Sequence, residues 1–255
     1  MQQFYRCVLA EFKKRKRSIF LLLHLGIPFI LPGTLMVYFL CRNVPISAEA
    51  GYGILFELIG VGTPVIISII CGMVADSENE AGHFQNILGV IQSKTNSFIS
   101  QTTMMIFSYS ASIFLTILIY TMALKFLVGV NGVYFTPYYV TGIIFTVSSI
   151  FQYFFYQVIG YKYGIGICSI CGFGGVIITA VSLTTLGDNI WGFLPWTWTN
   201  RFSKYVIDYL IGIDVKLDSD PMLLTGGYSF FILTTGMILL SIVWINRWPG
   251  RKTND

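Results

Sequence analysis

The chain has 255 residues, of which 55% are hydrophobic and only 11% charged, with a net charge of +4. A water-soluble domain carries roughly 25% charged residues over its surface, so a soluble globular fold is excluded and the chain belongs in a bilayer. The apolar runs are continuous, which favours helices over a β-barrel, whose strands alternate lipid-facing and lumen-facing residues over about ten positions.

The chain opens on MQQFYRCVLAEFKKRKR. Phe4, Val8 and Phe12 recur every four residues with Tyr5 and Leu9 beside them, while Arg6, Glu11, Lys13 and Lys14 point elsewhere. This pattern predicts a basic amphipathic helix over 1–17, lying along the membrane surface as an elbow into the first span. Crossing about 30 Å of hydrocarbon takes about 20 helical residues. Runs of that length predict six spans, near 18–40, 54–74, 98–124, 140–160, 164–186 and 223–244. The first is longer than the apolar core of a cleaved signal sequence and is expected to stay as a span.

The run KKRKR at 13–17, with Arg6, Lys94, Lys162, Arg247, Arg251 and Lys252, places most of the 16 Lys and Arg on one side of such a bundle. The positive-inside rule then puts both termini in the cytoplasm, including a tail over 245–255. Gly26, Pro28, Pro32 and Gly33 in the first span, and Gly60, Gly62 and Pro64 in the second, are expected to bend those helices. His24 is expected to be a packing histidine. Glu57, the one acid within a predicted span, is open to two readings. Near a helix end it reaches water, or facing inward it meets a cationic substrate.

Between the second and third spans the chain turns polar over 75–97. Asp76, Ser77 or Asn79 is placed to cap a short amphipathic helix starting near Glu78. Ala81, Phe84 and Leu88 form its stripe with Ile87 and Ile91 nearby, while Glu80, His83 and Asn86 point elsewhere. Lys94 to Ser97 is expected to interrupt it before the third span. A helix that merely rests on anionic lipid favours cations, and this one begins with three acids, so a protein partner is the preferred reading.

The turn at Tyr161–Lys162–Tyr163 is expected at the interface, with Lys162 snorkelling; a minor contact to a partner is the alternative. Gly164, Cys168 and Gly172 follow a four-residue step that permits close helix packing, which accounts for Cys168 and Cys171 better than redox chemistry does. The long loop 187–222 carries Trp191, Phe193, Pro195, Trp196 and Trp198, an interfacial aromatic set. A short helix or re-entrant pair follows in FSKYVIDYLIGIDV. Asp188, Asp208, Asp214, Asp218 and Asp220 outnumber Arg201, Lys204 and Lys216 there, a surplus that either attracts cationic peptides or is simply solvated.

Catalytic patterns are missing. Gly-Lys never occurs as a dipeptide, so no phosphate-binding loop of the Gly-x-x-x-x-Gly-Lys type exists. No intramembrane protease pattern or metal-ligand spacing is found either. No metal, cofactor or nucleic-acid partner is expected.

The elbow, the six spans, the segment Asp76-Ser77-Glu78-Asn79-Glu80-Ala81-Gly82-His83-Phe84-Gln85-Asn86 and the outer Phe193-Leu194-Pro195-Trp196-Thr197-Trp198 together resemble an ABC-2 type transporter permease. Within that group the chain is most similar to lantibiotic immunity permeases. The resemblance implies an all-α membrane protein forming one permease domain over 1–255, with a cytoplasmic coupling helix in a cleft of a separate ATPase. Two copies of that ATPase would bind ATP and Mg, and a second permease, identical or different, would complete the complex. Phe84, Ile87 and Leu88 would form the apolar plug, with Glu78, Glu80, Gln85 and Asn86 as its polar rim and Gly82 allowing close approach; Asp76 and His83 share the segment. Glu57, Trp196 and Trp198 are candidates for the substrate path. The implied function is expulsion of a cationic, lantibiotic-like peptide from a bacterial cell membrane. Another lipid-like or drug substrate, or a non-transporting sensor or assembly protein, is the alternative.

Overall fold

In the computed structural model, residues 2–42, 45–85, 93–211 and 221–251 are described. Helix α1 (Gln2–Arg15) ends on Lys13, Lys14 and Arg15, where cations meet the negative end of the helix dipole. Its stripe at Cys7, Glu11 and Arg15 is buried, while Tyr5, Leu9 and Phe12 remain exposed. The helix thus turns a partly charged face to the bundle and leaves apolar side chains on its outer face.

Helix α2 (Ile19–Arg42) contains Pro28 and Pro32 and buries one stripe from Phe20 to Phe39. It packs on α4 (Lys94–Phe126) far more than on α3 (Ala48–Glu80). Ser112 Oγ donates to the His24 carbonyl at 2.7 Å where α2 and α4 meet, and His24 Nδ1 lies 2.8 Å from the Phe20 carbonyl, a packing role. Ser47 and Ser93 cap α3 and α4, accepting from the Ala50 and Asn96 amides at 3.1 and 3.2 Å.

Two expectations are corrected here. Asp76, Ser77 and Asn79 do not cap a separate helix, because α3 continues without interruption through Glu80. The second-span helix is simply longer than its apolar part. Lys94 to Ser97 form the first turn of α4 rather than an interruption, since Ser93 supplies its cap.

The predicted fourth span, 140–160, runs from α5 (Phe135–Ser148) into the first part of α6 (Ile150–Ser182), and the predicted fifth, 164–186, falls on the rest of α6. Gly164 has φ 84° and ψ −179°, a conformation that a side chain would strain, and it breaks α6 into two arms. The arms fold back on each other. Cys168 Sγ donates to the Tyr156 carbonyl at 3.3 Å, and Tyr156 Oη donates to the Cys171 carbonyl at 3.4 Å. In a straight helix, 12 residues would separate such partners by about 18 Å. Both arms flank α3, with Cys168 and Gly172 against Ser68, so the small-residue stripe packs as expected from Cys168 onward while Gly164 is the turn.

Two short 3-10 turns (Thr185–Gly187 and Trp191–Phe193) lead into α7 (Trp198–Ile211). The last helix, α8 (Pro221–Arg247), returns along α6. Every regular element among the described residues is helical. Five helical stretches are long and apolar enough to cross a membrane; one of them, Phe135–Ser182, holds both α5 and the two arms of α6.

Candidate functional site

At the end of the bundle that carries α1, four elements converge on the last turns of α3. Asp76 makes two contacts. One carboxylate oxygen accepts from the Ile165 amide at 3.0 Å, and the other pairs with Arg251 Nη1 at 2.8 Å. Arg251 also donates to the carbonyls of Gly160 (2.7 Å) and Tyr161 (3.2 Å). Asp76 therefore satisfies an orphan N–H at the start of the second α6 arm, and Arg251 satisfies orphan carbonyls at the end of the first. Opposite charges suit opposite helix ends, and the two side chains bind each other across the turn.

On the other side of α3, Glu78 is buried at 3% exposure. Its Oε1 accepts from Arg15 (2.9 Å), Lys14 (3.2 Å) and Gln101 (3.4 Å). Arg15 also reaches Ser77 Oγ, and Glu11 pairs with Lys14 at 2.6 Å. Gln101 extends the network to Gln157 and to the Tyr161 hydroxyl. Partial burial works against the Lys14 charge, but the hydrogen bond and charge of Glu11 and the charge of Glu78 outweigh it and raise its pKa above 10.5. Glu78 was expected on an exposed polar rim; instead it anchors α1 to α3.

The backbone then turns sharply. Gly82, His83 and Phe84 all have positive φ, at 128°, 49° and 64°. The His83 amide donates to the Asn79 carbonyl at 2.7 Å and the Phe84 amide to the Glu78 carbonyl at 3.2 Å, so the end of α3 closes on itself. A left-handed phenylalanine costs on the order of 1–3 kcal/mol, which surrounding contacts must offset. They do so by enclosing the ring. Phe84 is 1% exposed, with ring centroids 4.9 Å from Trp248 and 5.3 Å from Tyr161, and the Arg251 guanidinium 5.4 Å over its face.

The expectation that Phe84 is an outward apolar plug is thus corrected. Its ring fills a hole between Tyr161, Phe98, Ile245 and Trp248 of its own chain. The same cluster encloses Tyr161, fully buried rather than lying in an interfacial belt. Glu80, His83 and Gln85 are exposed and Gly82 is half-buried, so these form the outward surface of the segment. Asn86, Ile87 and Leu88 lie outside the described residues.

At the opposite end, Glu57 is exposed and lines a cleft of about 410 Å³ between α3 and α7, with Glu49, Asn200, Arg201, Lys204 and Asp208. Trp196 is half-buried and donates to Tyr156 Oη at 2.8 Å. Trp198 is fully buried and donates to the Gly192 carbonyl at 3.0 Å, so it pins the second 3-10 turn from within the fold. Its bulk is needed to close the loop onto α8, where its ring meets Phe230 at 5.4 Å.

Gln101 and Trp248 were not singled out from the sequence, and Arg15 and Arg251 figured there only among the cations that set the orientation, although the residue types carried a trace. Cys7, Glu11 and Arg15 recur at helical spacing, and Gln101 and Gln157 are amides within or beside apolar runs. Nothing local marked Arg251.

The family model for the ABC-2 family transporter protein matches residues 7–175, from α1 into the second arm of α6. A search of curated proteins finds no match to the chain. The matched region is well over half of the chain and contains the segment Asp76 to Phe84, the Gly164 turn and the α1 anchor, though not Ile245, Trp248 or Arg251; the chain belongs to the ABC-2 family of transporter proteins, the membrane permease component of an ABC transporter.

Proposed function

We propose that this permease has six crossings, with the α1 end in the cytoplasm, and that it removes amphipathic, lantibiotic-like peptides from a bacterial membrane. The fold-back at Gly164 supports the sixth crossing: the 48 residues of Phe135–Ser182 would extend about 70 Å if straight, over twice the hydrocarbon thickness. The basic helix α1 and the KKRKR run support the orientation. Two copies of a separate ATPase supply ATP and Mg chemistry, and a second permease completes the assembly.

One observation carries the coupling role. The turn at Gly82–Phe84 exposes Glu80, His83 and Gln85 to a partner while its buried ring is held against the α6 turn and the C-terminal Trp248 and Arg251. Force applied to the exposed side chains reaches α3, α6 and α8 together, because packed interiors transmit displacement rather than absorb it. Phe84 in this reading is the root of the lever, and the polar residues are its handle.

Glu80→Lys combined with His83→Glu tests the handle. The variant permease is expected in the membrane at normal levels, with loss of ATPase co-purification and of peptide-stimulated ATP turnover. Undiminished co-purification and turnover would overturn the coupling role. Phe84→Asp is a different test, since it buries a charge in an aromatic hole and lowers the amount of folded permease as well.

An apolar groove of about 610 Å³ between α5, α7 and α8 favours the second reading, a lipid-like substrate. Failure of any cationic peptide to alter ATP turnover, with stimulation by a neutral lipid, would select it.

A further inference from the structure

We infer that the segment 248–251 is a clamp, and that its Trp248 and Arg251 are positioning residues that hold the turn at 82–84 in the shape that meets the ATPase. The inference rests on the proposed coupling role of that turn and deepens it. Family membership does not supply it, since the match ends at residue 175, before α8 begins.

The turn is strained beyond what a helix end requires. One left-handed residue closes a helix C-terminus, and Gly82 supplies it at φ 128°. His83 at 49° and Phe84 at 64° continue in the same region, and they are the only non-glycine residues with positive φ among the described residues. Such conformations persist only where the surroundings over-determine them. The His83 and Phe84 amides are tied back to Asn79 and Glu78 of α3, but the Phe84 ring is held by other segments.

Much of that hold comes from the chain beyond α8. Pro249 cannot continue the helix, and Gly250, at φ 111°, turns the backbone where Arg251 reaches Asp76 at 2.8 Å and the carbonyls of Gly160 and Tyr161. The Trp248 ring stands 4.9 Å from Phe84, nearer than Tyr161 at 5.3 Å, and the Arg251 guanidinium lies 5.4 Å over the ring's face. The clamp is anchored independently of the turn. Lys94 Nζ donates to the Trp248 carbonyl at 3.0 Å, Thr95 Oγ1 donates to Asn246 Oδ1 at 2.9 Å, and Trp244 stacks on Trp248 at 5.3 Å. Contacts fixed on α4 and α8 thus keep His83 and Phe84 left-handed, and Glu80, His83 and Gln85 stay outward as one surface.

Hydrogen exchange of the purified permease in detergent, read by mass spectrometry on peptides within 78–85, tests the clamp without any partner. Trp248→Ala and Arg251→Gln are each expected to speed exchange of the His83 and Phe84 amides roughly tenfold, the equilibrium factor for losing the hold on one left-handed residue. Trp248→Phe is expected to keep most of the protection. His83→Gly in the Trp248→Ala background is expected to recover part of it, because glycine takes a positive φ without strain; no recovery overturns the strain account on which the clamp rests. Leu124→Ala, a buried truncation at the other end of α4, is the control: a lower melting temperature with unchanged exchange at 78–85 is expected. Unchanged exchange in both clamp variants, or equal acceleration by Leu124→Ala, overturns the clamp and leaves the coupling role standing. In the co-purified complex, Trp248→Ala is expected to lose ATPase and ATP turnover while Trp248→Phe keeps them. Faster exchange with full co-purification overturns the positioning role when Glu80→Lys with His83→Glu does lose the ATPase. If that pair keeps it too, the coupling role itself has failed and the inference falls with it.

Discussion

Replacing Arg15 by Met removes the tie between α1 and α3. The Arg15 side chain is 9% exposed and that of Glu78 3%, with the charged atoms 2.9 Å apart. At an effective dielectric of 20 the attraction is roughly 6 kcal/mol, most of it offset by the desolvation of both groups. The measurable quantity is the cost of leaving Glu78 without its main partner, about 3–5 kcal/mol for a buried pair. Lys14 at 3.2 Å and Gln101 at 3.4 Å remain on the same carboxylate oxygen, which places the expected loss at the low end, about 3 kcal/mol. That corresponds to about 6–12 °C in melting temperature on the scale of a domain this size. Heating in detergent followed by recovery of the monodisperse chromatographic peak reads the shift. Glu78→Gln in the same background is expected to recover much of the loss, since an amide still bonds Gln101 and no charge is stranded. A shift below about 2 °C, or equal effects of Arg15→Met with Glu78 and with Gln at 78, would refute the account.

Phe84→Ala empties the hole beside Trp248 and Tyr161 and is expected to cost about 3–5 kcal/mol, read in the same melting assay, with Phe84→Leu losing less. Arg251→Ala frees the Gly160 and Tyr161 carbonyls and leaves Asp76 with the Ile165 amide alone; maleimide labelling of the buried Cys168, four residues beyond the Gly164 turn, is expected to accelerate while membrane insertion is unchanged. The raised pKa of Lys14 means that its contribution is fully present below the unfolded value of 10.5 and declines as pH rises through the folded value. Proteolysis between α1 and α2 is therefore expected to speed up above pH 10.5 in the wild type, with Lys14→Gln lacking that alkaline dependence.

Membrane class, the rough positions of the apolar helices and the polar break after the second span were legible in residue order alone. The reason is local: a bilayer imposes one length and one composition on each crossing segment, whatever its neighbours are. The packing stripe at Cys168 and Gly172 was legible for a similar reason, since small residues at helical spacing mark close approach without naming the partner. The direction of the key side chains was not. Phe84 has the same place in the hydrophobic pattern whether it faces a partner or its own core, and three consecutive left-handed residues together with a hole between α6 and α8 send it inward. Glu78 is a surface acid by composition, and it became an internal anchor only because α1 brings Arg15 and Lys14 to it from 63 and 64 residues away. Trp198 looked like an interfacial ring until α8 closed over it. In each case the deciding contact joins segments far apart in the chain, and a periodicity of a few residues holds no information about which distant group will arrive.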